Sequence, residues 1–277
     1  MLIDAHQHYW RIGDNDCRWP STDLPAIHRN YEPKDLAPLL AQTGVGMSVL
    51  VQSQPSERDT AWLLELAATT PNVGAVVGWT DLAAADAPQR IAELARHPKL
   101  RGLRPMLQDL QRDDWILDAS LSPAITAMED CGLSFDALVK PRHLPALYEF
   151  ARRHPRLAIV IDHGGKPAIA AHGFEPWAAD LARLARLPNV GCKLSGLATE
   201  AAPGWTADDL SPYVGQLMDC FGPQRLMWGS DWPVLNLAGD YVSWHRLAAS
   251  LCRFGSESDR RAVFGGTARA FYRIESA

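Results

Sequence analysis

The sequence predicts a (β/α)8 TIM barrel of parallel strands, one hydrolase-sized domain over 1–277. Three observations predict it. Eight short β-type runs alternate with longer helical patterns, the arrangement that forces parallel pairing. Four helix-to-strand junctions share one layout: helix, then proline, then strand. The first strand runs into histidines and aromatics, whereas a doubly wound open sheet would favour a glycine-rich phosphate loop there, and no Gly-x-Gly-x-x-Gly is present. The length of 277 residues suits a barrel, typically of about 250 residues.

The expected strands are Leu2 to Ala5, Met47 to Val51, Val73 to Trp79, Leu100 to Met106, Leu133 to Val139, Leu157 to Asp162, Asn189 to Leu194 and Arg225 to Ser230. Helical spacing marks Thr60 to Thr70, Ala87 to Arg96, Ser122 to Asp130, Leu144 to Arg153 and Pro176 to Leu187. The stops are Pro71, Pro98, Pro155 and Pro188. Proline cannot continue a helix and pushes the residue before it toward extended backbone. The long, polar and aromatic segment from Trp10 to Tyr31 reads as the first βα loop, on the C-terminal face where barrel active sites lie. The loops near Asp109 to Leu117 and Glu200 to Asp209 are expected to shape the same pocket.

Composition narrows the function. The chain is 47% hydrophobic and 21% charged, with a net charge of −5 and no basic block. Nucleic acid and anionic membrane are therefore not expected partners. No apolar run is long enough to span a bilayer, so a cytoplasmic, soluble protein is expected. Five scattered cysteines without a Cys-x-x-Cys pair read as reduced thiols.

Chemistry is expected at the strand ends. His6 and His8 are two apart, and residues i and i+2 of a strand share a face. His163 ends the sixth strand and Asp231 the eighth. Taken singly, His163 reads equally well as a core histidine and Asp231 as a helix N-cap. Together, three imidazoles and a carboxylate at converging strand ends make a metal site, or a set of donors that polarises a carbonyl beside a general base. Arg104, at the end of the fourth strand, offers a planar fork for a carboxylate or a polyol oxygen. Gln52 closes the second strand and Trp79 the third, and polar donors beside an aromatic suit a sugar-like ligand. Lys193 on the seventh strand is the fourth candidate substrate contact, although either face of that strand could point inward.

These motifs resemble the amidohydrolase superfamily in its lactonase-like branch. The resemblance rests on Ile3-Asp4-Ala5-His6-Gln7-His8-Tyr9-Trp10, Val49-Leu50-Val51-Gln52, Gly78-Trp79-Thr80-Asp81-Leu82 and Arg101-Gly102-Leu103-Arg104-Pro105. It continues through Ile161-Asp162-His163-Gly164-Gly165-Lys166-Pro167, Lys193-Leu194-Ser195-Gly196 and Trp228-Gly229-Ser230-Asp231-Trp232-Pro233. Within the branch the chain is most similar to the L-fuconolactonases, which hydrolyse sugar-acid lactones. The resemblance implies His6, His8 and His163 near a lactone carbonyl and Asp231 as the base for water. Strand five supplies Asp136 but no His or Glu, so a second metal is not expected. His6, His8, His163 and Asp231 would hold one Zn²⁺ or none. The rival readings are a metal-dependent decarboxylase of the same superfamily, a dicarboxylate lactone hydrolase and a non-catalytic barrel that binds a sugar acid or a metal.

Overall fold

A computed structural model describes residues 1–275. Its eight strands are β1 (Leu2–Gln7), β2 (Val45–Val51), β3 (Val73–Gly78), β4 (Leu100–Leu103), β5 (Ser134–Ala137), β6 (Ile159–Ile161), β7 (Val190–Leu194) and β8 (Leu226–Trp228). They pair in sequence order, all parallel. The sheet closes on itself where Gln7 bridges Trp232 and the His8 N–H donates to Trp232 O at 2.8 Å. The expected (β/α)8 barrel is therefore the observed one.

The helices between the strands are α1 (Pro33–Thr43), α2 (Glu57–Thr69), α3 (Ala87–Leu94), α4 (Ser122–Asp130), α5 (Leu144–Arg153), α6 (Trp177–Leu184), α7 (Ala207–Phe221) and α8 (Tyr241–Leu251). Each proline stop sits where expected: Pro71, Pro98, Pro155 and Pro188 each lie between a helix and the next strand. Three helices carry no clear sequence signal. Pro38 lies inside α1 and Pro212 inside α7, and interior proline ordinarily breaks a helix. Tyr, Trp and His in α8 have only moderate helix propensity. In α1 and α7 the buried faces, Leu36 with Leu40 and Leu210 with Leu217, outweigh the propensity cost.

Two apolar layers follow from strand alternation. Residues such as Leu50, Val76 and Cys192 face the helices. Ile3, Ala5, Val49, Val51, Ala75, Val77, Val160 and Met227 fill the barrel interior. After α8 come two short helices, α9 (Glu257–Arg261) and α10 (Thr267–Phe271). The chain then inserts Tyr272 and Ile274 into the inner layer. A Cβ on Gly74 would lie 2.7 Å from Ile274, so this segment stoppers the end of the barrel where the strands begin. Among the described residues, no helix is long and apolar enough to cross a membrane.

Candidate active site

At the opposite end, a register irregularity aims the first histidine. Asp4 pairs with Ser48 but Gln7 with Leu50, so β1 fits one more residue than β2 into that interval. Ile3 and Ala5 face the interior, while Asp4 accepts from Tyr241 Oη on α8 at 3.1 Å. Strict alternation would turn His6 outward with Asp4. The extra residue re-aims it inward, as bulges do. Asp4 also accepts from the backbone N–H of His6 (3.1 Å) and Ser230 (2.8 Å) and from Ser230 Oγ (2.6 Å). It thus pins the first strand to the loop that carries Asp231, even though burial pushes its carboxyl up to about 6.

His163 and Asp231 both sit in left-handed backbone, at φ 55° and 58°. Residues other than glycine are uncommon there, and such conformations persist where the surroundings over-determine them. For His163 those surroundings are a hydrogen bond between its Nδ1 and Ser195 Oγ (2.9 Å) and the bare face of Gly196. For Asp231 they are its N–H donating to His6 O (2.8 Å) and its carbonyl accepting from Leu235 N–H (3.0 Å).

The result is a cluster of donors around Asp231 Oδ1. His8 Nε2 lies 3.3 Å from it, His6 Nε2 3.7 Å and His163 Nε2 3.8 Å, while His6 and His8 Nε2 are 3.1 Å apart. Burial lowers the basicity of all three imidazoles, and His163 is pushed down to about 4. Burial also works to raise Asp231, but the surrounding imidazoles outweigh it and hold the carboxyl well below its usual range. His8 Nδ1 gives its proton to Val51 O at 2.7 Å, so its Nε2 presents a lone pair.

Two proton arrangements satisfy His6. With Nδ1–H facing Asp162 Oδ1 (3.4 Å), Nε2 is a lone pair, and the carboxylate–histidine pairing typical of metal ligands results. With Lys193 Nζ donating to Nδ1 (3.2 Å), Nε2–H becomes a hydrogen-bond donor. His6, His163 and Asp231 offer ligand atoms within 4.8 Å of one another, and His8 adds another lone pair beside them. Neutral imidazoles converging on an ionised carboxylate are the donor set of a divalent cation.

Beneath the imidazoles lies a buried charged layer, of which only Arg104 reaches the cavity. Lys193 pairs with Asp136 (2.7 Å) and Asp162 (2.9 Å), and Arg104 with Asp162 (3.4 Å). Two cations offset two carboxylates, which makes their burial tolerable. Burial acts to raise Asp162, but Lys193 and His6 hold it well below the ordinary carboxylate range.

Above it opens a cavity of about 260 Å³. Its wall includes His8, His163, Asp231 and Arg104 from the expected set. Arg104 Nε–H has no protein partner. The other three expected substrate contacts lie elsewhere. Gln52 is buried beneath Arg104 and donates from Nε2 to Arg104 O at 2.8 Å. Lys193 is consumed by its ion pairs, and Trp79, whose backbone carbonyl and N–H are both tied to Thr60, is not in the wall. One-residue alternation on a strand cannot distinguish the cavity wall from the layer below it.

Instead, Gln54, Met106, Gln108, Asp109, Leu138, Lys166 and Trp19 line the cavity. All but Trp19 follow a strand end within six residues, a positional signal the motifs carry without marking polarity. The first loop is tied down: Trp10 pairs with Tyr31, and Gln54 Nε2 donates to Trp19 O at 2.8 Å. His28 and His143 are engaged with Pro20 O and the Lys140 N–H, consistent with structural roles.

Asp59 on α2 lies behind the Ser53–Gln54 wall, 1% exposed. Burial pushes its carboxyl up to about 7, against the backbone amides of Ser53 and Gln54 and the charge of Arg104. The folded state thus holds a proton that the unfolded chain releases near pH 4, and stability drains away as pH rises from about 4 to 7. Asp59→Asn does not titrate. Its stability relative to the parent should therefore climb by roughly 2–4 kcal/mol between pH 4.5 and 8. Urea unfolding of both proteins at the two pH values checks this, and a pH-independent difference would refute it.

A family model described as amidohydrolase matches residues 3–274. An L-fucono-1,5-lactonase of Burkholderia ambifaria is 55% identical over 277 residues, 99% of this chain and 96% of the relative. An L-fucono-1,5-lactonase of Burkholderia multivorans is 40% identical over 99% of this chain and 96% of its own length. A crystal structure of an amidohydrolase from Burkholderia multivorans with bound zinc superposes with a TM-score of 0.94 at 40% identity, covering 99% of this chain and all of that one.

Proposed function

Since the chain belongs to the amidohydrolase family, we propose that it hydrolyses a sugar-acid lactone, L-fucono-1,5-lactone or a related 1,4- or 1,5-lactone, to the sugar acid. The observation that carries this reading is the convergence of three imidazoles on one ionised carboxylate at the floor of a sugar-sized cavity. It agrees with the activity named for the two Burkholderia relatives.

A lactone is an activated ester, so the site must deliver water and stabilise an oxyanion. Asp231, ionised at neutral pH, takes a proton from water as its oxygen adds to the carbonyl carbon. The backbone bonds of Asp231, from its N–H to His6 O and from Leu235 N–H to its carbonyl, fix where the carboxylate points. As the ring C–O bond breaks, Asp231 returns the proton to the departing ring oxygen. Arg104 lines the cavity and binds a substrate oxygen through its guanidinium. Gln54, Gln108, Asp109 and Lys166 meet hydroxyls, and Trp19, Met106 and Leu138 meet the C–H face of the ring. We infer that the metal suited to His6, His8, His163 and Asp231 is a single zinc, which when bound supplies a Lewis acid at the carbonyl.

A pH-indicator screen over sugar-acid 1,4- and 1,5-lactones, with a dicarboxylate lactone as control, tests the reading. Acid release should be fastest on L-fucono-1,5-lactone, should fall at least tenfold after chelation and should return with Zn²⁺. No acid release from any sugar-acid lactone would overturn it. CO₂ evolution from an aromatic acid would favour the decarboxylase reading instead.

A further inference from the structure

Lys193 is wholly buried: its ammonium donates to Asp136 Oδ2 at 2.7 Å, forms an ion pair with Asp162 Oδ1 at 2.9 Å and lies 3.2 Å from His6 Nδ1. Asp136 Oδ2 accepts a second hydrogen bond, from Tyr272 Oη at 2.5 Å. Asp136 Oδ1 accepts from Ser134 Oγ at 2.8 Å. The Lys193 ammonium also lies 5.4 Å from the centroid of the Tyr272 ring. Tyr272 comes from the segment that stoppers the opposite end of the barrel. A buried line of hydrogen bonds and ion pairs therefore runs from that stopper, through Asp136 and Lys193, to Asp162 and the back of His6.

We propose that Lys193 is a positioning residue holding His6 and Asp162 in place, and that Tyr272 of the C-terminal segment sets Lys193 through Asp136. The inference rests on the proposed function insofar as the cluster above is the catalytic one. The physical ground is the cost of misplacing a buried charge. An ammonium with no water to turn to stays where its carboxylates are held. Asp136 is held by Ser134 and Tyr272, so the tyrosine hydroxyl fixes the carboxylate that fixes the lysine. Gly102 leaves the room: a Cβ there would lie 2.2 Å from Ser134 Oγ and 3.0 Å from Asp136 Oδ1. Tyr272 thus does more than seal the barrel.

Tyr272→Phe tests this, because the ring still fills the stopper while the hydroxyl is lost. The control is Ile274→Ala, an equally buried stopper residue with no hydrogen bond to the line. Outer-sphere partners of this kind are worth about 10- to 100-fold in activity or metal affinity. Tyr272→Phe should lower kcat about tenfold with KM within twofold, and should weaken Zn²⁺ binding, measured by chelator competition, by a similar factor. Ile274→Ala should lower Tm and leave kcat and Zn²⁺ affinity unchanged. The proposal is overturned if folded Tyr272→Phe keeps both wild-type values, or if Ile274→Ala lowers them equally. Zinc affinity needs no substrate, so a wild-type protein inert to sugar-acid lactones would sink the function without deciding the positioning line.

Discussion

Asp231→Asn is expected to lower lactone turnover about a thousandfold while leaving the fold intact. Loss of a positioned general base typically costs about 10²- to 10⁴-fold. Here the same oxygen is also the common neighbour of three imidazoles, so both proton transfer and the hold on a metal suffer. The amide has the carboxylate's shape, and asparagine is among the few residues that tolerate the left-handed backbone at φ 58°. The backbone bonds to His6 and Leu235 do not involve the side chain and survive. Steady-state kinetics beside a thermal melt separate the two effects. Turnover within tenfold of the parent would mean that another group takes the proton from water.

Gly196→Ala should be nearly as damaging, although Gly196 holds no chemistry. A Cβ there would lie 2.5 Å from His163 Nδ1 and 2.6 Å from Cγ, at a φ of +63°. His163 cannot retreat, since its ring is tied to Ser195 and its own backbone is left-handed. A displacement of about 1 Å at a reacting group costs on the order of 100-fold in rate. The expected outcome is a kcat loss of that size, with a stability loss of about 1–3 kcal/mol from backbone strain. Gly204→Ala is the matched control. Its φ is +80° but nothing lies within 4 Å of the added methyl. It should lose a little stability and no activity, and equal kinetic losses in the two variants would refute the steric account.

Much of this molecule was legible in the chain because barrels are built from local rules. Alternating periods and the four proline stops place strands and helices without reference to distant residues. The cluster was legible for a similar reason: His6, His8, His163 and Asp231 stand at strand ends, and strand ends of a parallel barrel must converge. The reading weakened where a neighbour decides the outcome. Pro38 and Pro212 lie within helices whose buried faces carry them. Lys193 and Gln52 have the polarity of substrate contacts, yet their partners are Asp136, Asp162 and the Arg104 carbonyl, each supplied by another strand or strand end.

The sequence by itself determined the order of the elements, the parallel barrel and the identity of the three imidazoles and the carboxylate, because periodicity and strand-end position are properties of short stretches. Only the tertiary structure decided where those groups point. The extra residue of β1 against β2 turns His6 into the barrel, left-handed backbone aims His163 and Asp231, and a buried lysine is spent on carboxylates from β5 and the turn after β6. Those directions depend on pairing register and on charge balance between strands far apart in sequence, and neither exists until the barrel has closed.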